Sequence, residues 1–363
     1  MKMSKRGLLL SFIFASAMLM NTANAEEIDL NLVNDAALSG GEQTVFDIAK
    51  VNQMSYAQRN NNMDMWSYTS MPKSKRQMLK MQNKLAISDN SLAYDPINAT
   101  MDSANFWIRP YGSFEDVKTG IGKVESNNYG VYFGANSGIK ELDNGWDMIW
   151  GGYAGYTASH QHYHFLGMYQ NGGTLGLETM LLKDNFFTGF DVSAGGSVGN
   201  LKIKALDVGI TTSYLTSGVS NKTGYNWELA DGKFIIQPNM LSSLVFYHTF
   251  GHSKQFGSLT ASIQNDSLYN VQLEPGINFI GNLSNGWQPY AGISVVWNIA
   301  HSNHIMPWYA NMPDLASRTF VKYGVGVKKS WDDRYSASIQ TFVRNGGRSG
   351  IGFQGGLNIA LGK

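Results

Sequence analysis

The chain has no cysteine, only 8 prolines in 363 residues, and charge on just 15% of its positions. Without cysteine there can be no disulfide scaffold, thiol nucleophile or thiolate-ligated zinc or iron–sulfur centre. Soluble globular proteins average about 25% charged residues, so the shortage of charge is itself informative. Neither sign dominates: the formal net charge is +1, which removes the basic balance a nucleic-acid binder needs. No G-x-S-x-G elbow, P-loop, H-E-x-x-H or dinucleotide fingerprint is present. The sequence therefore points to no enzyme and no cofactor. What is abundant is glycine, with 40 residues, and aromatics, with 18 Tyr, 18 Phe and 9 Trp.

The N-terminus reads as an export signal. Lys2, Lys5 and Arg6 precede an apolar run from Gly7 to Met20, and Ala23-Asn24-Ala25 follows. This is the three-part pattern of a secretory signal peptide, with cleavage expected after Ala25. Losing three cations takes the formal charge from +1 to about −2. The apolar run is too short to span a bilayer as a helix, and no later stretch approaches the roughly 18 apolar residues that would. Entry into a membrane would then be through strands.

The remainder divides into two unlike parts. Residues 26–103 are rich in Asn, Met and Ser, with helical spacing of apolar residues over Gln43 to Tyr56 and again over Ser74 to Ile87. Asn60-Asn61-Asn62 between them reads as a polar hinge. This region is expected to be a short passenger or a partly helical linker or plug. From Ala104 onward the period becomes two. In Tyr269, Val271, Leu273, Ile277 and Phe279 the apolar residues alternate with Asn270, Gln272, Glu274 and Asn278. Such alternation builds a sheet with one apolar and one polar face.

Turn chemistry counts the strands. Tight turns are expected at residues 142–145, 183–185, 230–232, 284–286 and 331–334, where Asn-Gly and Asp-Gly recur. Longer polar loops are expected near 117–128, 159–172, 199–212, 251–267 and 300–317. Alternation of short and long connections over about twelve segments fits an all-β fold, an antiparallel transmembrane β-barrel of the outer membrane. The interleaved polar face suits a wet lumen and the apolar face suits lipid. Trp146, Trp287, Trp331 and Tyr335 cluster at the tight turns, where an aromatic girdle would meet the membrane surface. Arg109, Lys140, Glu178, Asp191, Glu228, Glu274, Lys322, Lys328 and Arg344 fall at or near polar-face positions and are expected to line the lumen. His160, His162 and His164 would lie on one face of an extended strand, within reach of one metal ion. No carboxylate accompanies them, and a polar outer loop accounts for them more simply.

The segment Phe106-Trp107-Ile108-Arg109-Pro110-Tyr111-Gly112-Ser113-Phe114 resembles the first strand of the autotransporter β-domain. Tyr129-Gly130-Val131 and Gly152-Tyr153-Ala154-Gly155-Tyr156 are similar to its second and third strands. Gly286-Trp287-Gln288-Pro289-Tyr290-Ala291 is similar to a late strand, and Gly352 to Leu361 occupies the place of the last. The resemblance covers residues 104–363. It implies a twelve-stranded barrel with a helix in its pore that exports or displays an N-terminal segment. It also implies outer-membrane lipid, the barrel-assembly machinery and periplasmic chaperones as partners, with the chain a monomer exported through the Sec pathway. Two features depart from the family: only residues 26–103 remain for a passenger, and the chain ends Leu361-Gly362-Lys363 where the family has an aromatic. A plugged outer-membrane channel, or a surface-binding barrel with no secreted cargo, is the alternative.

Overall fold

The computed structural model describes residues 104–361 except 120–121, 164–165, 204–207, 231–232, 257–258, 264–265, 284–285, 303–318 and 332–334. The expected signal peptide, the two helical segments and the hinge lie outside the described residues. Within them the chain forms twelve long antiparallel strands. The first six are β1 (Asn105–Thr119), β2 (Gly122–Asn136), β3 (Asp147–Tyr163), β4 (Leu166–Lys183), β5 (Phe186–Ile203) and β6 (Val208–Tyr225). The second six are β7 (Phe234–Thr249), β8 (Asp266–Gly281), β9 (Trp287–Ser302), β10 (Phe320–Ser330), β11 (Tyr335–Gly346) and β12 (Arg348–Ala360). Each pairs with its sequence neighbours, and β12 pairs with β1 from Asn105–Ala360 to Val117–Arg348, so the sheet closes on itself. Closure leaves no long unpaired edge, the condition for a sheet to exist within lipid.

The pairing is strongly staggered. From Asn105 the register runs through Asn136, Gly151, Glu178, Asp191, Ser220, Ser243 and Gln272 to Asn298. Asn298 lies beyond Val296, where the β9–β10 pairing ends opposite Phe320. Stagger of this kind tilts every strand against the barrel axis. Both chain ends emerge at one rim, here the terminal rim, where the backbone N–H of Leu361 donates to the carbonyl of Ala104 at 2.7 Å.

The described residues of the expected tight turns sit at this rim. Gly145 and Gly286 have φ of +77° and +73°, and Asp184 and Ala230 adopt φ of 50° and 51°. The left-handed conformation that these turns demand explains their Asn, Asp and Gly content. At the opposite, distal rim the structure corrects the sequence reading. The segments expected as loops at 117–128, 159–172 and 199–212 are largely strand, because β1 to β6 run on past the apolar belt. Between residues 250 and 266 a small separate hairpin pairs His252–Phe256 with Leu259–Ile263.

Candidate functional site

Period-two alternation assigns every barrel residue to one of two surfaces. On β1 the odd residues Trp107, Arg109, Tyr111, Ser113 and Glu115 point into the lumen and are buried, whereas Ile108 and Phe114 face outward. The outer surface is apolar around the whole circumference, with Leu175 and Leu177 68% and 71% exposed and Val192, Ile293, Val325 and Ile339 also bare. Ten residues of β3 separate outward-facing Trp150 from outward-facing His160. At about 3.3 Å per residue and a tilt of about 40°, that is a band about 25 Å tall, the height of the apolar belt of a membrane barrel.

Aromatic rings border the band. At the terminal rim Trp150, Trp227, Trp287, Trp331 and Tyr335 are exposed, and half-buried Trp146 packs edge-on against Phe186 at 6.0 Å. Three lysines lie over three of these rings: Lys140 over Trp150 at 5.4 Å, Lys183 over Trp146 at 5.6 Å and Lys329 over Trp287 at 5.2 Å. Lys140 was expected in the lumen. It sits instead on a two-residue strand, Lys140–Glu141, exposed beside Trp150, because residues 137–146 leave the barrel wall and its alternation. At the distal end of the band His160 packs edge-on to Tyr169 at 4.6 Å, with Tyr129 6.4 Å away on its other side.

His160 and His162 are therefore exposed on the outer surface of β3, and His164 lies outside the described residues. Among the described residues no group of three His, Asp or Glu is placed to hold a metal ion.

The lumen is lined by polar side chains and divided by charge. Glu178 on β4 and Asp191 on β5 stand directly opposite one another, both buried, and form an acidic stretch of wall. Most of the cations are elsewhere: Arg109, Lys222, Lys322, Lys328, Arg344 and Arg348, all buried, from β1, β6, β10, β11 and β12. Glu115 bridges two of them, pairing with Arg344 and Arg348 across the β1–β12 closure. Arg109 works at the same closure nearer the terminal rim. Its guanidinium donates to the carbonyl of Leu357 at 2.9 Å and to Asn358 Oδ1 at 2.6 Å. It lies beside Pro110, which has no N–H to give to the ladder, so the side chain supplies donors where the backbone cannot. Glu274 pairs with Lys322 and accepts a hydrogen bond from Ser294 Oγ at 2.6 Å. Glu228 is half-buried on the short strand Trp227–Leu229 at the terminal rim, outside the lumen wall proper. Sequence reading passed over Glu115, Lys222 and Arg348. Glu115 shares parity with Arg109 on one strand, which was the available signal; Arg348 opens the last strand, two residues past the end of β11 at Gly346.

Aromatic rings inside the barrel lie flat on glycines of the next strand. Trp107 is paired with Gly134, Tyr111 with Gly130, Tyr132 with Gly155 and Tyr153 with Gly176. A Cβ on Gly176 would come within 2.1 Å of the Tyr153 ring, and one on Gly155 within 2.3 Å of Tyr132. Part of the glycine surplus is thus space occupied by rings. The four aromatics form one cluster, with Tyr111 stacked on Tyr132 at 5.7 Å and Tyr132 edge-on to Tyr153 at 5.8 Å.

No protein-family model matches the chain, and no curated protein matches it. Solved structures do. The β-domain of the Bordetella autotransporter BrkA aligns with a TM-score of 0.57 at 18% identity, covering 72% of this chain and 100% of that one. The transport unit of the Escherichia coli autotransporter AIDA-I gives 0.56 at 15% identity, covering 81% and 99%. The translocator domain of the Neisseria meningitidis autotransporter NalP gives 0.57 at 10% identity, with coverage of 81% and 99%. At these identities the likeness is one of architecture, and it agrees with the strand count, the closure and the two-faced alternation: the chain has the closed twelve-stranded β-barrel fold of the autotransporter β-domain.

Proposed function

We propose that this chain is an outer-membrane barrel of autotransporter type that carries its own short N-terminal segment to the cell surface. In this reading residues 1–25 direct export, residues 26–103 are the short passenger with its linker, and residues 104–363 are the barrel. The observation that carries it is the pairing of a lipid-suited exterior with a polar lumen, in a barrel whose two ends leave from the same rim. That rim would face the periplasm, so the only route from residue 104 to the outside runs through the lumen. The terminal-rim tryptophans with their lysines would then sit among periplasmic-leaflet headgroups, where an amphipathic ring and a snorkelling cation are both favoured. The barrel-assembly machinery and periplasmic chaperones would bring the strands to the membrane. The reading gives the barrel no catalytic step.

Surface exposure of residues 26–60 is the test. An epitope placed there should be removed by protease added to intact cells, while the barrel is retained in the outer membrane. An epitope protected in intact cells and cleaved only after the outer membrane is opened would refute export. The charged lumen supports a second reading, a channel closed by residues 26–103. In planar bilayers that reading expects ion conductance to appear when the segment is removed, together with no surface epitope.

A further inference from the structure

We propose that the inner wall of β3–β5 holds residues 73–84 of this chain, and that this contact fixes where the N-terminal segment stops as it passes through the lumen. The stop rests on the proposed export; the contact does not. On the wall side, β3–β5 turn Asp147, Glu178 and Asp191 inward, at 4%, 6% and 2% exposure. The two cations of these strands, Lys183 and Lys202, are exposed on the outer surface. The other side of the barrel, β1 and β10–β12, turns Arg109, Lys322, Lys328, Arg344 and Arg348 inward. Lys222 of β6 is nearest to the acidic wall, but it lines a cavity with Glu274 and Lys322 on its other side. A buried carboxylate is tolerated where cations or donors stand beside it. Twelve strands enclose more space than their own side chains fill, so a cationic segment of chain has room against this wall.

One stretch of residues 26–103 has the matching charge. Lys73, Lys75, Arg76, Lys80 and Lys84 lie in a run, residues 73–84, that holds no Asp or Glu. The stretches on either side, residues 26–72 and 85–103, are both net acidic. At the helical spacing expected over Ser74 to Ile87, Lys73, Arg76, Lys80 and Lys84 fall on one face, three or four residues apart. Four cations so placed span about 16 Å at a rise of about 1.5 Å per residue. On the wall, Asp147 pairs with Leu182, four residues along β4 from Glu178, and Asp191 stands opposite Glu178. Four residues along a strand and one strand across separate Asp147 from Glu178 by about 14 Å. The two lines of charge agree in length and are opposite in sign.

Residue 104 lies at the terminal rim, so Lys84 falls towards that rim, near Asp147, and Lys73 deeper, near Glu178 and Asp191. From Glu178 to Leu166, the distal end of β4, is twelve residues, or about 30 Å of height at a tilt of about 40°. About nine or ten extended residues cover that height. A chain held in this way clears the distal rim close to Asn60-Asn61-Asn62, the expected polar hinge. Residues 26–59 then lie outside and residues 63–103 stay within the barrel.

The contact is tested in isolated outer membranes, where a carbodiimide should join a lysine of residues 73–84 to Asp147, Glu178 or Asp191. No such cross-link, or one from Lys50 in its place, overturns the contact. The stop is tested on intact cells with a membrane-impermeant maleimide. The chain has no cysteine, so a single one reports its own position: Ser55→Cys should label and Gln77→Cys should not. Adding Lys73→Gln, Arg76→Gln, Lys80→Gln and Lys84→Gln together, all outside the barrel wall, should raise labelling of Gln77→Cys at least about tenfold, as loss of charged hydrogen bonds should. Labelling of Gln77→Cys equal to that of Ser55→Cys, or unchanged by the four glutamines, overturns the stop. Failure of both positions to label until the outer membrane is opened refutes export and the stop with it, whereas the cross-link still decides the contact.

Discussion

Replacing Glu115 by glutamine should remove more stability than any other single isosteric change in the lumen. Glu115 pairs with both Arg344 and Arg348, and the side chains of all three are nearly or wholly excluded from solvent, at 0%, 4% and 2%. Removing the carboxylate charge takes away an anion that two buried guanidinium groups share. Breaking a buried ion pair from one side costs about 3–5 kcal/mol, and here a like-charge contact is added to the loss. The strands concerned, β1, β11 and β12, meet where the barrel closes, so the cost falls on the pairing of the chain's two ends. Urea unfolding of the refolded protein in vesicles, read by tryptophan fluorescence, should show a fall of about 3 kcal/mol or more. Adding Arg348→Met to Glu115→Gln should recover at least about 1 kcal/mol, because the second change removes one of the two cations that shared the carboxylate. A fall under about 1 kcal/mol in the single variant, or full additivity in the double, would refute this account of the seam.

Three further expectations follow from the walls and turns. Gly176→Ala puts a methyl group 2.1 Å from the Tyr153 ring, so the ring must leave its place; overpacking of this kind costs about 1–3 kcal/mol and should lower the unfolding midpoint, and Gly145→Ala, at a turn with open space around it but φ of +77°, should act through backbone strain alone. Leu175→Arg, at a position 68% exposed near the middle of the belt, should cost about 2–4 kcal/mol in phospholipid vesicles; equal stability of variant and parent there would show that this surface does not face hydrocarbon.

Much of this architecture was legible in the sequence, for a physical reason. Where one face of a strand meets hydrocarbon and the other meets water, the alternation of Val321, Tyr323 and Val325 with Lys322, Gly324 and Gly326 is compulsory, and the structure exposes Tyr323 and Val325, half-buries Val321 and turns Lys322 inward. The turns were legible because left-handed backbone at Gly145 and Gly286 restricts the residue type. Beyond the belt the constraint disappears. Ser159, His160, Gln161 and His162 are polar on both faces of β3, so nothing in their order separates strand from loop, and they were read as loop. Lys140 was misplaced for a related reason: alternation assigns a side only while the chain stays in the wall. Lys222 escaped notice because β6 carries Ser, Thr and Gly on both faces, leaving its parity without contrast. Ring-on-glycine pairing was hidden because it depends on cross-strand register, as between Tyr132 and Gly155.

The closure between first and last strands also constrains the order in which the molecule can be made. Eleven of the twelve junctions join strands adjacent in the chain, and each can form as soon as its own hairpin exists. The twelfth joins residues such as Arg348 and Glu115, 233 positions apart. Until that junction forms, β1 and β12 are two unsatisfied edges, which lipid does not tolerate and another chain's edge could cap. Loop-closure entropy makes the long junction the last to be rewarded. The buried Glu115–Arg348–Arg344 cluster therefore exists only in a completed ring: it serves as the molecule's own record that assembly has finished, and a truncated chain lacking its last strand would keep its hairpins yet never acquire it.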